Sequence, residues 1–123
     1  MAIRHNVPVV IGCARRRKGE LCYELHVQDI IPPKDWAEQD DPTFYISARY
    51  TRAIEDMVRI APEQYLWLHR RWKSRPRFER EGKPMPQKLI DKIAALPWMT
   101  DQELELIIER SQPTQSTTIV STI

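Results

Sequence analysis

The sequence predicts an α/β fold, a two-stranded hairpin followed by about four helices and a disordered tail, and three observations carry that expectation. Val7-Pro8-Val9-Val10-Ile11-Gly12-Cys13-Ala14 is a continuous apolar run of strand length, which suits a central strand buried on both faces rather than an edge. Glu20 to Gln28 alternates instead, with Leu21, Tyr23, Leu25 and Val27 on one face and Cys22, Glu24, His26 and Gln28 on the other, the pattern of a half-buried strand. Farther on, Tyr50, Ala53, Ile54, Met57 and Ala61 recur at helical spacing, one apolar stripe on an amphipathic helix.

Between the two strands, Arg15-Arg16-Arg17-Lys18-Gly19 reads as a basic, solvated hairpin loop. Asp29 to Pro42 carries three prolines and, after Asp29, four acids (Asp35, Glu38, Asp40, Asp41), so an irregular connection is expected. The helix bearing the apolar stripe runs from about Thr43 to Ile60, with Arg52–Asp56 and Glu55–Arg59 as i, i+4 pairs on its solvent side. Pro62 suits the first position of a further helix, and Ser74-Arg75-Pro76 a stop. After a polar segment from Arg77 to Pro86, a short helix is expected from about Gln87 to Leu96 with Leu89, Ile90 and Ile93 inward. Thr100 and Glu103 form a capping box before Leu104, Ile107 and Ile108, and the Ser/Thr/Gln-rich tail from Ser111 is expected to be disordered.

At 123 residues, 41% apolar and 29% charged, the chain has the size and composition of one ordinary globular domain. Yet a doubly buried strand needs further strands beside it and helices over both faces, so missing elements are expected upstream. Three glycines argue against a Gly-rich phosphate loop, and Cys13 and Cys22, on adjacent strands, read as free thiols. No apolar run approaches the roughly 20 residues that cross a bilayer.

The net charge of +2 conceals an asymmetry. Between Tyr65 and Arg80 stand six Lys/Arg (Arg70, Arg71, Lys73, Arg75, Arg77, Arg80) against one acid, while the rest of the chain holds 13 bases against 16 acids. On a helix, Tyr65, Leu68, His69 and Trp72 share one face, which suits core, and Trp67, Arg70 and Arg71 the opposite one. Trp67 beside arginines has three readings: a surface Trp covered by arginine stems, a cation–π anchor for an anionic ligand, or an interfacial anchor at the headgroup level of a membrane. For Arg70, Arg71, Lys73 and Arg75 the alternatives are anion contact and plain solvation. The three histidines, His5, His26 and His69, lack the convergent partners of a metal site or nucleophile, so neither a metal nor a cofactor is expected. A small nucleic-acid-binding module fits the Trp/Arg segment, but the acidic body and the absence of a nucleic-acid motif argue against it.

The order of a Val-Pro-Val-Val strand, a basic hairpin, a proline-rich acidic connection, an Arg52-Ala53-Ile54-Glu55 helix and then Pro62-Glu63-Gln64-Tyr65, Trp67 and His69-Arg70-Arg71-Trp72 resembles the C-terminal part of the bacterial lipid A biosynthesis acyltransferases, the lauroyl and myristoyl transferase family. The resemblance covers about residues 7–76, and the Val7-Pro8-Val9-Val10 strand also resembles the fourth motif of the wider glycerolipid acyltransferases. It implies the C-terminal part of a glycerolipid-acyltransferase-type fold over residues 1–76; beyond it the sequence itself reads as a helical extension (77–110) and the tail (111–123). It implies transfer of a fatty acyl chain from acyl carrier protein to a lipid A precursor hydroxyl, at the cytoplasmic face of the inner membrane. In the family a His-x4-Asp or His-x4-Glu dyad is the general base. Here the corresponding positions after His5, His26 and His69 are Val10, Ile31 and Ser74, so this chain is expected to be catalytically inert alone, as the back part of such an enzyme or a non-catalytic interaction remnant. On this reading Trp67, Arg70, Arg71, Lys73 and Arg75 are candidates for contact with the acidic carrier, the phosphorylated precursor or the anionic membrane surface, and Pro62, Glu63, Gln64, Tyr65, His69 and Trp72 are a structural motif.

Overall fold

The computed structural model describes residues 1–65 and 73–112. The chain divides into two compact units, Met1–His69 and Arg70–Ile123. In the first, a four-residue helix α1 (Ala2–His5), closed by Asn6 in the left-handed conformation, leads into β1 (Val9–Arg16) and β2 (Tyr23–Ile31), which pair antiparallel. A short helix α2 (Pro33–Ala37) and the long helix α3 (Pro42–Ile60) follow. Both strand limits lie two or three residues beyond the sequence expectation, and α1 was not expected at all. The connection read as irregular holds α2, whose Trp36 is only 3% exposed.

The register of the hairpin decides which side chains reach the core. Ile11 pairs with Asp29 and Gly12 with Val27, so Gln28 is an extra residue in β2. This β-bulge flips the alternation beyond it. On one side of the hairpin lie Ile11, Cys13 and Arg15 with His26, Asp29 and Ile31. This inner face packs on α3, and Ile11 and Ile31 are buried there with Trp36, Tyr45, Ala53 and Ala61. Without the bulge, Asp29 and Ile31 would share the side of Leu25 and Val27. Gly12 permits the bulge, because a Cβ at this position would stand 2.6 Å from the His26 carbonyl oxygen.

The alternation read in β2 is present, but its apolar side faces outward. Tyr23, Leu25, Val27, Ile30 and Val10 all stand more than half exposed. Among the described residues the sheet has two strands, and β1 forms one side of it. Elements able to cover its other side are not among the residues described.

Helix α3 starts one residue before the expected point. Pro42 opens it, and the Asp41 side chain accepts the Phe44 N–H at 3.0 Å as its N-cap. Of the expected stripe, Ala53 and Ala61 are buried and Ile54 and Met57 half-buried, but Tyr50 is exposed and Tyr45, five residues earlier, is buried instead. Glu55 and Arg59 do meet, at 3.8 Å, and Arg59 is nearer to Asp56, at 3.2 Å.

The second unit contains α4 (Arg77–Arg80), α5 (Gln87–Ala94) and α6 (Asp101–Ser111). The segment read as polar thus carries one helical turn. The capping box forms as expected: Thr100 Oγ1 accepts the Glu103 N–H at 3.2 Å while Glu103 Oε2 accepts the Thr100 N–H at 3.3 Å. Leu89, Ile90, Ile93, Leu104 and Ile108 are half-buried between α5 and α6, and Ile107 is exposed. Ser111 closes α6 rather than opening the tail.

Candidate functional site

The aromatic-basic segment is where the sequence concentrates its chemistry, and the structure describes both of its ends. Trp67, His69, Arg70, Arg71 and Trp72 lie outside the described residues. Ahead of them, α3 ends at Ile60, and Pro62–Gln64 forms a single 3-10 turn. Tyr65 is then extended, at φ −82° and ψ 136°. The expected helix is therefore not continuous from Pro62. Ala61 leaves the helical region before the proline ring, as residues preceding proline do.

The Gln64 side chain makes a two-way contact that spans the unit. Its Oε1 accepts the Arg16 N–H at 2.8 Å and its Nε2 donates to the Arg16 carbonyl at 3.3 Å. A primary amide carries one donor and one acceptor in the same spacing as a peptide group, so Gln64 pairs with the outer edge of β1 as one residue of a neighbouring strand would. It fastens the turn before the aromatic-basic segment to the end of the hairpin.

A pocket of about 190 Å³ opens beside this contact, between β1 and the C-terminal half of α3. Cys13, Arg15, Ile54, Met57, Val58 and Tyr65 line it. Arg15 belongs to β1 and not to the loop, and its buried Nε has no hydrogen-bond partner. An apolar lining with one cationic edge suits an apolar group bearing an acceptor at one end. Arg16, the last residue of β1, donates its Nε to the Glu20 carbonyl, and Arg17 in the loop pairs with Glu24 at 3.0 Å and Glu20 at 3.4 Å. Cys13 and Cys22 are both free, Cys22 lying just before β2. The Cys22 thiol donates to Glu20, which pushes its pKa up and makes it a poor nucleophile.

Among the described residues, a polar group that the sequence reading passed over makes five hydrogen bonds. Arg49 on α3 donates to both carboxylate oxygens of Asp29 (2.6 and 2.8 Å), to Asp35 (2.7 Å), to Tyr45 Oη (3.1 Å) and to the Ile30 carbonyl (3.3 Å). Its hydrogen bonds hold the Asp29 carboxyl below the usual carboxylate range, against a partial burial that acts the other way. Arg49 itself is shifted upward by the same contacts. The fork ties β2, α2 and α3 together. A cation on the helix with two acids in the preceding connection was the available signal.

In the second unit Lys73 and Arg75 are exposed, and Arg75 pairs with Glu79 at 2.8 Å. Among the described residues no three His, Cys, Asp or Glu side chains form a metal-holding group, and no helix is long and apolar enough to cross a membrane.

Comparison with known proteins gives these features a context. Over 72 residues, 57% of this chain, the sequence is 43% identical to the lipid A biosynthesis lauroyltransferase of Escherichia coli (strain K12). The match spans 20% of that relative's length. No solved structure gives a significant match. The family model of the bacterial lipid A biosynthesis acyltransferases matches residues 1–74, the hairpin, α2, α3 and the Gln64 turn together, and the chain belongs to that family.

Proposed function

We propose that this chain supplies the C-terminal part of a lipid A acyltransferase domain, acting in transfer of a fatty acyl chain from acyl carrier protein to a hydroxyl of a lipid A precursor at the cytoplasmic face of the inner membrane. The observation that carries the reading is the family match over residues 1–74, within which the Gln64 turn fixes the start of the aromatic-basic segment against the hairpin. The chain has no His-x4-Asp or His-x4-Glu, so its share of the reaction is support and binding. The proton of the acceptor hydroxyl is taken by a base outside these 123 residues, and the chain alone is inert.

On this reading Arg70, Arg71 and Lys73, with Trp67, meet an anionic surface: the carrier, the precursor's phosphates or the headgroups of the membrane. Guanidinium forks suit phosphate and carboxylate oxygens, and a Trp suits the headgroup level. Arg75 contributes less, because Glu79 already neutralises it.

The test is a chimera of the E. coli lauroyltransferase in which the full chain replaces the matched segment, assayed for laurate transfer from acyl carrier protein to a lipid A precursor. Activity well above that of the enzyme with the segment deleted is expected. A folded chimera no more active than the deletion overturns the reading.

A further inference from the structure

Arg15 stands on the inner face of the hairpin without an acid of its own. Its cross-strand neighbour by register is Glu24, the position from which an opposite charge would pair with it. That carboxylate is engaged elsewhere: Arg17 Nε lies 3.0 Å from one of its oxygens and His26 Nε2 lies 3.5 Å from the other. Arg15 is left with a buried Nε that has no hydrogen-bond partner among the described residues, a costly state for a charged donor. The same side chain forms the cationic edge of the pocket between β1 and α3, whose far wall is Ile54, Met57 and Val58.

Size and charge together bound what the pocket can take. An apolar cavity of roughly 150 Å³ holds benzene, so about 190 Å³ suits a group of roughly six to eight carbons. A lauroyl chain, with about twice the carbons of benzene, overfills it. An unpartnered guanidinium N–H bonds most strongly to an anionic oxygen, and a carboxylate supplies one on a small group. An acyl thioester meets neither condition: its carbonyl is neutral and its chain runs on through sulfur into the carrier.

We propose that this pocket binds a medium-chain carboxylate in its free, anionic form, the chain lying against Ile54, Met57 and Val58 and the carboxylate accepting the Arg15 Nε–H. The ligand is neither the acyl donor nor the acceptor of the proposed function, so the site does not rest on that reading. Gln64 and Tyr65 belong to the same wall. A bound ligand therefore also holds the 3-10 turn against β1.

The two cysteines supply the readout, because Cys13 lines the pocket and Cys22 lies outside it, just before β2. The full chain is alkylated with iodoacetamide in the presence of octanoate, octanol or laurate, and both thiols are read by peptide mass mapping. Saturating octanoate should slow alkylation of Cys13 on the order of tenfold and leave Cys22 unchanged. Octanol should need about tenfold more ligand for the same protection, for want of the charge-assisted hydrogen bond, and laurate should protect less well than octanoate. Arg15→Gln, with its thermal midpoint retained, should reduce octanoate to the level of octanol. Equal protection by octanoate and octanol in the unaltered chain overturns the carboxylate assignment without any variant. Laurate protecting as well as octanoate overturns the size limit and makes the pocket a slot for longer chains. Slowing of both thiols alike, or of neither, overturns the site. None of these results turns on the chimera, whose activity tests acyl transfer separately.

Discussion

The two faces of the hairpin are built from the same strands and have opposite fates. The inner face meets α3, buries Ile11 and Ile31, and is fastened by Arg49 and Gln64. The outer face is the more regularly apolar of the two along β2, yet it meets nothing among the described residues. The difference teaches that apolar alternation identifies a surface that wants a partner without saying where the partner is. One bulge at Gln28, permitted by Gly12, decides which side the core residues take.

The contrast would break most visibly at Trp36, the aromatic of α2 that closes the inner core. Trp36→Ala should cost about 3–5 kcal/mol, read as a lowered urea midpoint for the full chain. Next comes Arg49→Met, which leaves Asp29 and Asp35 without their shared partner. Their side chains are 24% and 27% exposed, so the cost should fall below that of a fully buried pair, about 2–3 kcal/mol. If it is nearer zero, the fork is ornamental to stability and the inner face is held by packing alone.

The same fork gives a pH signature. The folded-state pKa of Asp29 is depressed, so its contribution is fully present above the unfolded value of about 3.9 and is lost as pH falls through the lower native value. A urea midpoint that declines below about pH 4, and declines less in Asp29→Asn, is the expected outcome. Gln64→Ala removes two hydrogen bonds to an exposed edge and should cost about 1 kcal/mol. The smallest effect belongs to the outer face: Leu25→Thr in the full chain alone should stay within about 0.5 kcal/mol. A loss comparable to that of Trp36→Ala would show that the outer face is already occupied.

Much of this was legible beforehand. The hairpin, the long helix after Pro42 and the capping box at Thr100 each have a local cause, in pattern, proline position or a side chain three residues away. What escaped has non-local causes. The bulge depends on Gly12 meeting the His26 carbonyl across the hairpin, and Trp36 becomes core only because α2 folds back on α3. Arg49 was passed over, because its acids lie 14 and 20 residues away. For the aromatic-basic segment, the motif residues up to Tyr65 could be followed into three dimensions, and the extended Tyr65 breaks a helix that Pro62 seemed to start.

The clasp between Gln64 and Arg16 has a dynamic consequence. Its partners are 48 residues apart, so it closes only once α3 has returned to the hairpin, and it opens whenever that return is undone. The Arg16 amide proton is shielded from solvent by that one side chain. Its hydrogen exchange therefore clocks the detachment of the 3-10 turn from the sheet, separately from global unfolding, and would report how often the Gln64 turn leaves the strand it is fastened to.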